Sequence, residues 1–201
     1  EEKMKALELE LFEEMLQKLK AYTKKFQELS NQLALLDVIT THSLNAQLYN
    51  YSRPQFSETE TKILEGRNPL VEHFVQNFTP HEAHFDDEEK IKIITGPNMS
   101  GKSTFLRELA LIVLMAQTGS FVPAKEATLK LYDRIFTRIG AHDELSEGQS
   151  TFMVEMSETA TILNNASKKS LVLLDEIGRG TSTYDGLSIA WAVVEEIHHI
   201  N

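Results

Sequence analysis

Cysteine is absent from this chain of 201 residues, which excludes disulfide bonds and thiolate metal sites. No run of 18 apolar residues is present to span a membrane, and the N-terminal Glu1-Glu2-Lys3 lacks the apolar core of a signal peptide. Glycine and proline are few, at 9 and 5 residues, and the composition is that of an ordered globular protein. These absences predict a cytoplasmic protein with no membrane partner.

An excess of basic residues is missing as well, because the formal net charge is −10. A surface that grips nucleic acid gains affinity by neutralising phosphates and usually carries more basic than acidic residues. The chain is therefore a poor candidate for a main DNA-contacting surface, although a local basic patch could be hidden in the total.

The first 47 residues or so contain no glycine or proline and show a helical spacing of apolar side chains. The apolar positions recur at steps of three and four residues: Leu9, Phe12, Leu16, Leu19, Tyr22, Phe26, Leu29, Leu33 and Leu36. An unbroken helix would be roughly 65 Å long, which predicts an arm that reaches beyond a compact domain. The alternative is two packed helices with a bend near Ser30-Asn31.

Turn signals between Asn50 and Pro69 predict a boundary, with a helical segment at residues 1–49 and a separate domain at residues 50–201. Strands are predicted at Lys90–Thr95, around Asp133–Ile139 and at Leu171–Leu174. Helices are predicted at Phe105–Thr118, Phe152–Ala166 and Leu187–His199, and Val71–Phe78 could begin either kind of element. This alternation predicts an α/β fold with a mostly parallel sheet covered on both faces.

A segment between a predicted strand and a predicted helix has the pattern of a phosphate-binding loop: glycine, four residues, then Gly-Lys-Ser or Gly-Lys-Thr. It comprises Gly96, Pro97, Asn98, Met99, Ser100, Gly101, Lys102 and Ser103. Glycines let backbone N–H groups turn inward around an anion, and the positive end of the following helix dipole points at the phosphates. Lys102 can reach the outer phosphates, and the Ser103 hydroxyl suits Mg²⁺, which prefers oxygen ligands.

Two consecutive carboxylates end the last predicted strand, at the edge where open α/β sheets bind ligands. Asp175 is predicted to hold Mg²⁺ directly or through water, and Glu176 to position or activate the attacking water. Taken alone, the pair is equally well explained as two surface carboxylates without a catalytic role. Taken with the phosphate loop, it predicts nucleotide binding, and a metal ligand beside a base favours hydrolysis over kinase-type transfer.

Together the segments TGPNMSGKSTF, STFMVEM and LVLLDEIGRGTSTYDG resemble the MutS family, and EGRNPLVE from Glu65 resembles that family's entry into its ATPase domain. The resemblance covers essentially the whole chain. It implies a P-loop ATPase of the ABC type, preceded by a helical lever and working as a homodimer with composite nucleotide sites. It also implies that DNA is contacted mainly by other parts of a longer protein, with a MutL-type repair protein as a further partner.

The resemblance also assigns roles to single residues. It implies that the loop from Gly96 to Thr104 binds ATP or ADP, that Asn98 senses the γ-phosphate or the water, and that Lys102 and Glu176 act with Asn98 in catalysis. Ser103 and Asp175 would hold the magnesium ion.

Three further roles are implied outside the loop. Phe78 matches an aromatic residue that stacks on adenine, with a core phenylalanine as the alternative. Ser150 lies where one subunit caps the nucleotide of the other, and Asp185 would lie across the dimer interface.

The function implied by the resemblance is Mg²⁺-dependent ATP binding and hydrolysis that controls the conformation of a DNA mismatch repair protein. The chain ends before the family's Thr-His motif, so the ATPase domain is expected to be truncated and slow. A nucleotide-binding segment with little turnover is therefore one alternative. Another is a paralogue of the family that acts on recombination intermediates.

Overall fold

The computed structural model of the protein describes residues 1–75, 77–139 and 151–200. The chain divides into two compact units, Glu1–Asn45 and Ala46–Asn201. The helices are α1 Glu2–Lys20, α2 Thr23–Leu48, α3 Lys102–Gln117, α4 Thr151–Asn165 and α5 Thr183–Ile200. The strands are β1 Gln55–Phe56, β2 Thr61–Gly66, β3 His81–Phe85, β4 Glu126–Leu129, β5 Arg134–Arg138 and β6 Ser170–Leu174.

The first unit is helical, and neither α1 nor α2 contains a buried residue. The two helices are separated at Ala21 and Tyr22, where the Tyr22 N–H donates to the Leu19 carbonyl at 2.9 Å in the tighter i to i−3 pattern. The prediction of an unbroken helix is therefore wrong, and so is the alternative bend near Ser30-Asn31. Within the described ranges, no helix is both long and apolar enough to cross a bilayer.

The described residues of the second unit form two sheets. The four-stranded sheet has the order β1-β4-β2-β3, and β2 is antiparallel to both of its neighbours, whereas β1 and β4 are parallel. β5 and β6 form a separate parallel pair. The mixed α/β class is confirmed, but a mostly parallel sheet is not. The physical reason is that no helix lies between β2 and β3, and such a direct connection suits antiparallel strands.

Two predicted elements ahead of the phosphate loop do not form. The described residues of Val71–Phe78 make turns, as where the Val75 N–H donates to the Val71 carbonyl. Lys90–Thr95 belongs to neither sheet of the described chain, and its Ile93 side chain is 74% exposed. A β-branched composition favours a strand, but a strand also needs a partner backbone to complete its hydrogen bonds.

The core of the second unit forms around α3. This helix contacts both β2 and β6, and its buried face consists of Leu106, Glu108, Leu109, Ile112, Val113 and Ala116. Its apolar residues pack against the inward side chains of the strands, among them Ile63, Ala83, Ala127, Leu129, Leu171 and Leu173. The helix begins at Lys102 rather than at the predicted Phe105. Packing of α3 therefore positions Lys102 and Ser103 relative to the end of β6.

We expect Ile112→Ala to lower the free energy of unfolding by about 2–5 kcal/mol, because a fully buried side chain would be replaced by a cavity. Leu114→Ala on the same helix is the matched control, since Leu114 is 52% exposed; its effect should stay within about 0.5 kcal/mol. Urea unfolding followed by circular dichroism measures both values. Equal destabilisation by the two variants would contradict the placement of the core.

Candidate nucleotide site

The phosphate loop leads directly into the first turn of α3. Gly101 is the N-cap, with a left-handed φ of 93° that glycine adopts without strain, and no side chain caps the helix there. Met99, at the tip of the loop, also has a positive φ of 64°. The first N–H groups of a helix have no partner within the helix and favour an anion. The loop and α3 therefore have the backbone form of an anion-binding site.

The Lys102 side chain lies over this loop. Its ammonium group donates to the carbonyl oxygens of Gly96 and Pro97, each at 2.8 Å. Asn98, Met99 and Ser100 are exposed, so the loop presents them at the surface. Lys102 therefore bonds the first two residues of the predicted loop.

A side-chain hydrogen bond joins the loop to the end of β6. The Ser103 hydroxyl donates to the Asp175 carboxylate in a direct contact, although the two residues are 72 positions apart in sequence. The pair combines a hydroxyl and a carboxylate oxygen, which is the donor chemistry that Mg²⁺ prefers. The residues predicted from sequence to hold a metal are therefore adjacent and chemically suited to it.

Glu176 follows Asp175 in a sharp turn. It has a φ of 53°, a left-handed conformation that is uncommon for a residue with a side chain. Its carboxylate accepts a bond from the Arg179 guanidinium at 2.6 Å, and its side chain is 40% exposed. The two consecutive carboxylates therefore have different partners, Ser103 for Asp175 and Arg179 for Glu176.

Glu155 on α4 bonds the backbone of the loop that carries Glu176. Glu155 was not identified as a site residue from the sequence. The Gly178 N–H donates to a Glu155 carboxylate oxygen at 2.6 Å, and Glu155 is only 5% exposed. The signal available was its position inside the STFMVEM segment. The contact ties α4 to the loop that carries Glu176.

Glycines allow that loop to pack without side chains in the way. A Cβ atom on Gly178 would lie 2.5 Å from the Gly186 carbonyl, and one on Gly180 would lie 3.0 Å from the Phe152 Cβ. Gly178 also has a φ of 82°. The loop after the carboxylates therefore depends on glycine for close packing against α4 and α5.

Phe78 lies in a group of rings near α3. Its ring is perpendicular to that of His81, with centroids 5.7 Å apart, and His81 is in turn 5.6 Å from Phe105. The Nδ1 atom of His81 lies 2.9 Å from a carboxylate oxygen of Glu108. Burial raises the pKa of Glu108, and the bond to His81 opposes that rise. Phe78 is half-buried, and the residues around it were not predicted from sequence.

Of the two residues predicted at a subunit interface, Asp185 lies within the described part of the chain. Asp185 accepts a bond from the Ser182 hydroxyl at 2.7 Å, and its own N–H donates back to that hydroxyl at 3.3 Å. This pair caps the start of α5. Ser150 lies outside the described residues.

The chain is similar in sequence to one family model and to several known proteins. A family model described as MutS domain V matches residues 92–201. The DNA mismatch repair protein MutS of Thermotoga neapolitana is 55% identical over 196 residues, and that of Methanosarcina barkeri is 55% identical over 202 residues. Both alignments cover 98% of this chain but only 24% and 22% of the relatives. The chain thus spans about a quarter of the length of these relatives.

Proposed function

Since the chain belongs to the MutS family of DNA mismatch repair proteins, we propose that it binds ATP or ADP with Mg²⁺ and hydrolyses ATP. In the longer protein, this reaction would control the conformation of the repair machinery. The observation that carries the proposal is the contact between Ser103 and Asp175. It joins the end of a phosphate-binding loop to the end of a strand, and two oxygen ligands for a metal meet there.

The loop is proposed to bind the phosphates through its backbone and Lys102. The backbone N–H groups of Gly96 and of Asn98 to Thr104 would surround the anion, and the first turn of α3 adds its dipole. The Lys102 ammonium already lies over the loop, and it exchanges loop carbonyls for phosphate oxygens when nucleotide binds. Asn98, which is exposed, is proposed as the sensor of the γ-phosphate or of the water.

Hydrolysis requires a metal and a base at the end of β6. Ser103 and Asp175 would hold Mg²⁺, which supplies charge stabilisation at the phosphates. Glu176 would orient a water molecule and accept its proton. Glu176 is bonded to Arg179 in an exposed ion pair, and exposed pairs contribute little, so the carboxylate can release that partner to act. The alternative is a segment that binds nucleotide but turns it over little.

In the longer protein, two copies of this segment are proposed to close on each other around the nucleotides. Ser150 would cap the partner's nucleotide, and the helices from Glu1 to Leu48 would carry the motion toward a DNA-binding region. ATP would favour the closed state only if it binds that state more tightly than it binds the open state. A MutL-type protein and DNA would then be partners of the whole assembly, not mainly of this acidic segment.

The proposal is tested by calorimetric titration of ATP with Mg²⁺ and with EDTA, on the parent chain and on Ser103→Ala. We expect Mg²⁺ to strengthen ATP binding to the parent chain. Ser103→Ala should reduce this Mg²⁺-dependent gain in ATP affinity by about tenfold or more. Residues that only hydrogen-bond to metal ligands contribute this much, and Ser103 is proposed as a ligand. ATP binding in EDTA should change little, because the loop and Lys102 remain.

The matched control is Thr118→Ala, which removes a hydroxyl just after the same helix, where it bonds the Met115 carbonyl. Its magnesium dependence should equal that of the parent chain. A parent chain that does not bind ATP under either condition would refute the nucleotide proposal. An unchanged magnesium gain in Ser103→Ala would remove Ser103 from the metal site.

A further inference from the structure

A histidine in contact with a buried carboxyl group connects the proposed base-binding aromatic residue to the helix of the phosphate loop. His81 begins β3 and contacts three side chains: Phe78, Phe105 and Glu108. Phe105 and Glu108 both belong to α3, whose first residues are Lys102 and Ser103. A single histidine therefore spans the distance between the ring of Phe78 and the helix that would bind phosphate.

Glu108 is an unusual anchor because it places a carboxyl group in the core. Its side chain is 3% exposed, whereas that of His81 is 31% exposed. A Cβ atom on Gly66 would lie 2.7 Å from its other carboxylate oxygen, so β2 covers it closely. A buried carboxylate without a partner is costly, and His81 supplies the partner. The pair is thus held in one geometry by packing from β2, β3 and α3.

We propose that His81 and Glu108 are positioning residues for the nucleotide base. The inference rests on the proposed function and adds a separate element to it. The base and the phosphates of one nucleotide are joined covalently, so the stacking ring and the phosphate loop must be kept at a matching separation. Perpendicular contact with His81 restrains the tilt of the Phe78 ring. The bond between His81 and Glu108 fixes the position of the His81 ring relative to α3. His81 acts through Phe78 and does not itself touch the phosphates.

The test compares ATP with inorganic tripolyphosphate, which lacks the base and the sugar, both titrated with Mg²⁺ into the full chain. His81→Ala should weaken ATP binding about three- to tenfold, the value of one aromatic pair. Its tripolyphosphate affinity should stay that of the parent chain. Phe78→Ala should weaken ATP binding about tenfold through lost stacking. In the Phe78→Ala background, His81→Ala should cause no further loss, because it acts through the missing ring.

The matched control is His84→Ala, which removes the other histidine of β3; that residue pairs with Glu60 and Asp86 away from Phe78. Its affinity for both ligands should equal that of the parent. Three outcomes would overturn the inference: unchanged ATP affinity in His81→Ala, equal losses for ATP and tripolyphosphate, or additive losses for His81 and Phe78. If the parent chain bound neither ligand, the proposed function itself would fail, and this inference would fail with it.

Discussion

Lys102→Ala is expected to weaken ATP binding about 10- to 100-fold, because one charge-assisted hydrogen bond to phosphate contributes about 1.5–3 kcal/mol. The ammonium group lies over the loop at 2.8 Å from two of its carbonyls, so it is already in reach of an anion held there. Tripolyphosphate should lose affinity by a similar factor, because Lys102 meets phosphate and not the base. Isothermal titration with Mg²⁺ measures both losses.

Lys125→Ala provides the control for a lost positive charge. Lys125 is exposed and pairs with Glu65 on the four-stranded sheet, so its removal should leave both affinities unchanged. Equal affinities for ATP in the parent chain and in Lys102→Ala would show that the lysine does not contact phosphate. The loop would then bind through its backbone alone or would not bind nucleotide.

Glu176→Gln is expected to slow ATP turnover about 10²- to 10⁴-fold, which is the usual contribution of a general base. Its ATP affinity should stay close to that of the parent chain, because glutamine keeps the shape of the side chain and the phosphate contacts lie elsewhere. Steady-state phosphate release and calorimetric titration, made on the same preparations, separate the two effects. A loss in the rate alone would place Glu176 in the chemical step.

Glu196→Gln on α5 is the control, since that carboxylate is exposed on the helix beyond the loop. Its turnover should match that of the parent chain. Turnover that is unchanged in Glu176→Gln would remove the residue from the role of base. ATP binding without measurable turnover in the parent chain would favour the alternative function, a nucleotide-binding segment with little hydrolysis.

Much of the second unit could be predicted from local patterns. The periodicity of α4 and the apolar run of β6 placed both elements within about one residue of their observed ends. The pattern failed at Lys90–Thr95, where the composition favours a strand but the segment belongs to neither sheet of the described chain. It also missed β2 and β3, because turn residues near them dominated the sequence signal and their pairing is made in space.

In the first unit, the local sequence pattern predicted the helical conformation but not the point where the helix is interrupted. Helical periodicity was predicted correctly over nearly all of its length, and α1 and α2 occupy it. The interruption at Ala21 and Tyr22 was not predicted, because neither residue disfavours a helix strongly. A break of this kind is a small change of hydrogen-bond pattern, which periodicity does not register.

By itself, the sequence determined the components of the candidate site. Spacing within the phosphate loop and the Asp175-Glu176 pair needed only neighbouring residues, so both could be recognised from local order. The tertiary structure decided what those components touch: Ser103 meets Asp175, Glu155 binds the Gly178 N–H, and His81 pairs with Glu108. These partners are 72, 23 and 27 residues apart. Their meeting depends on how α3, α4 and the strands pack, and no local pattern encodes that packing.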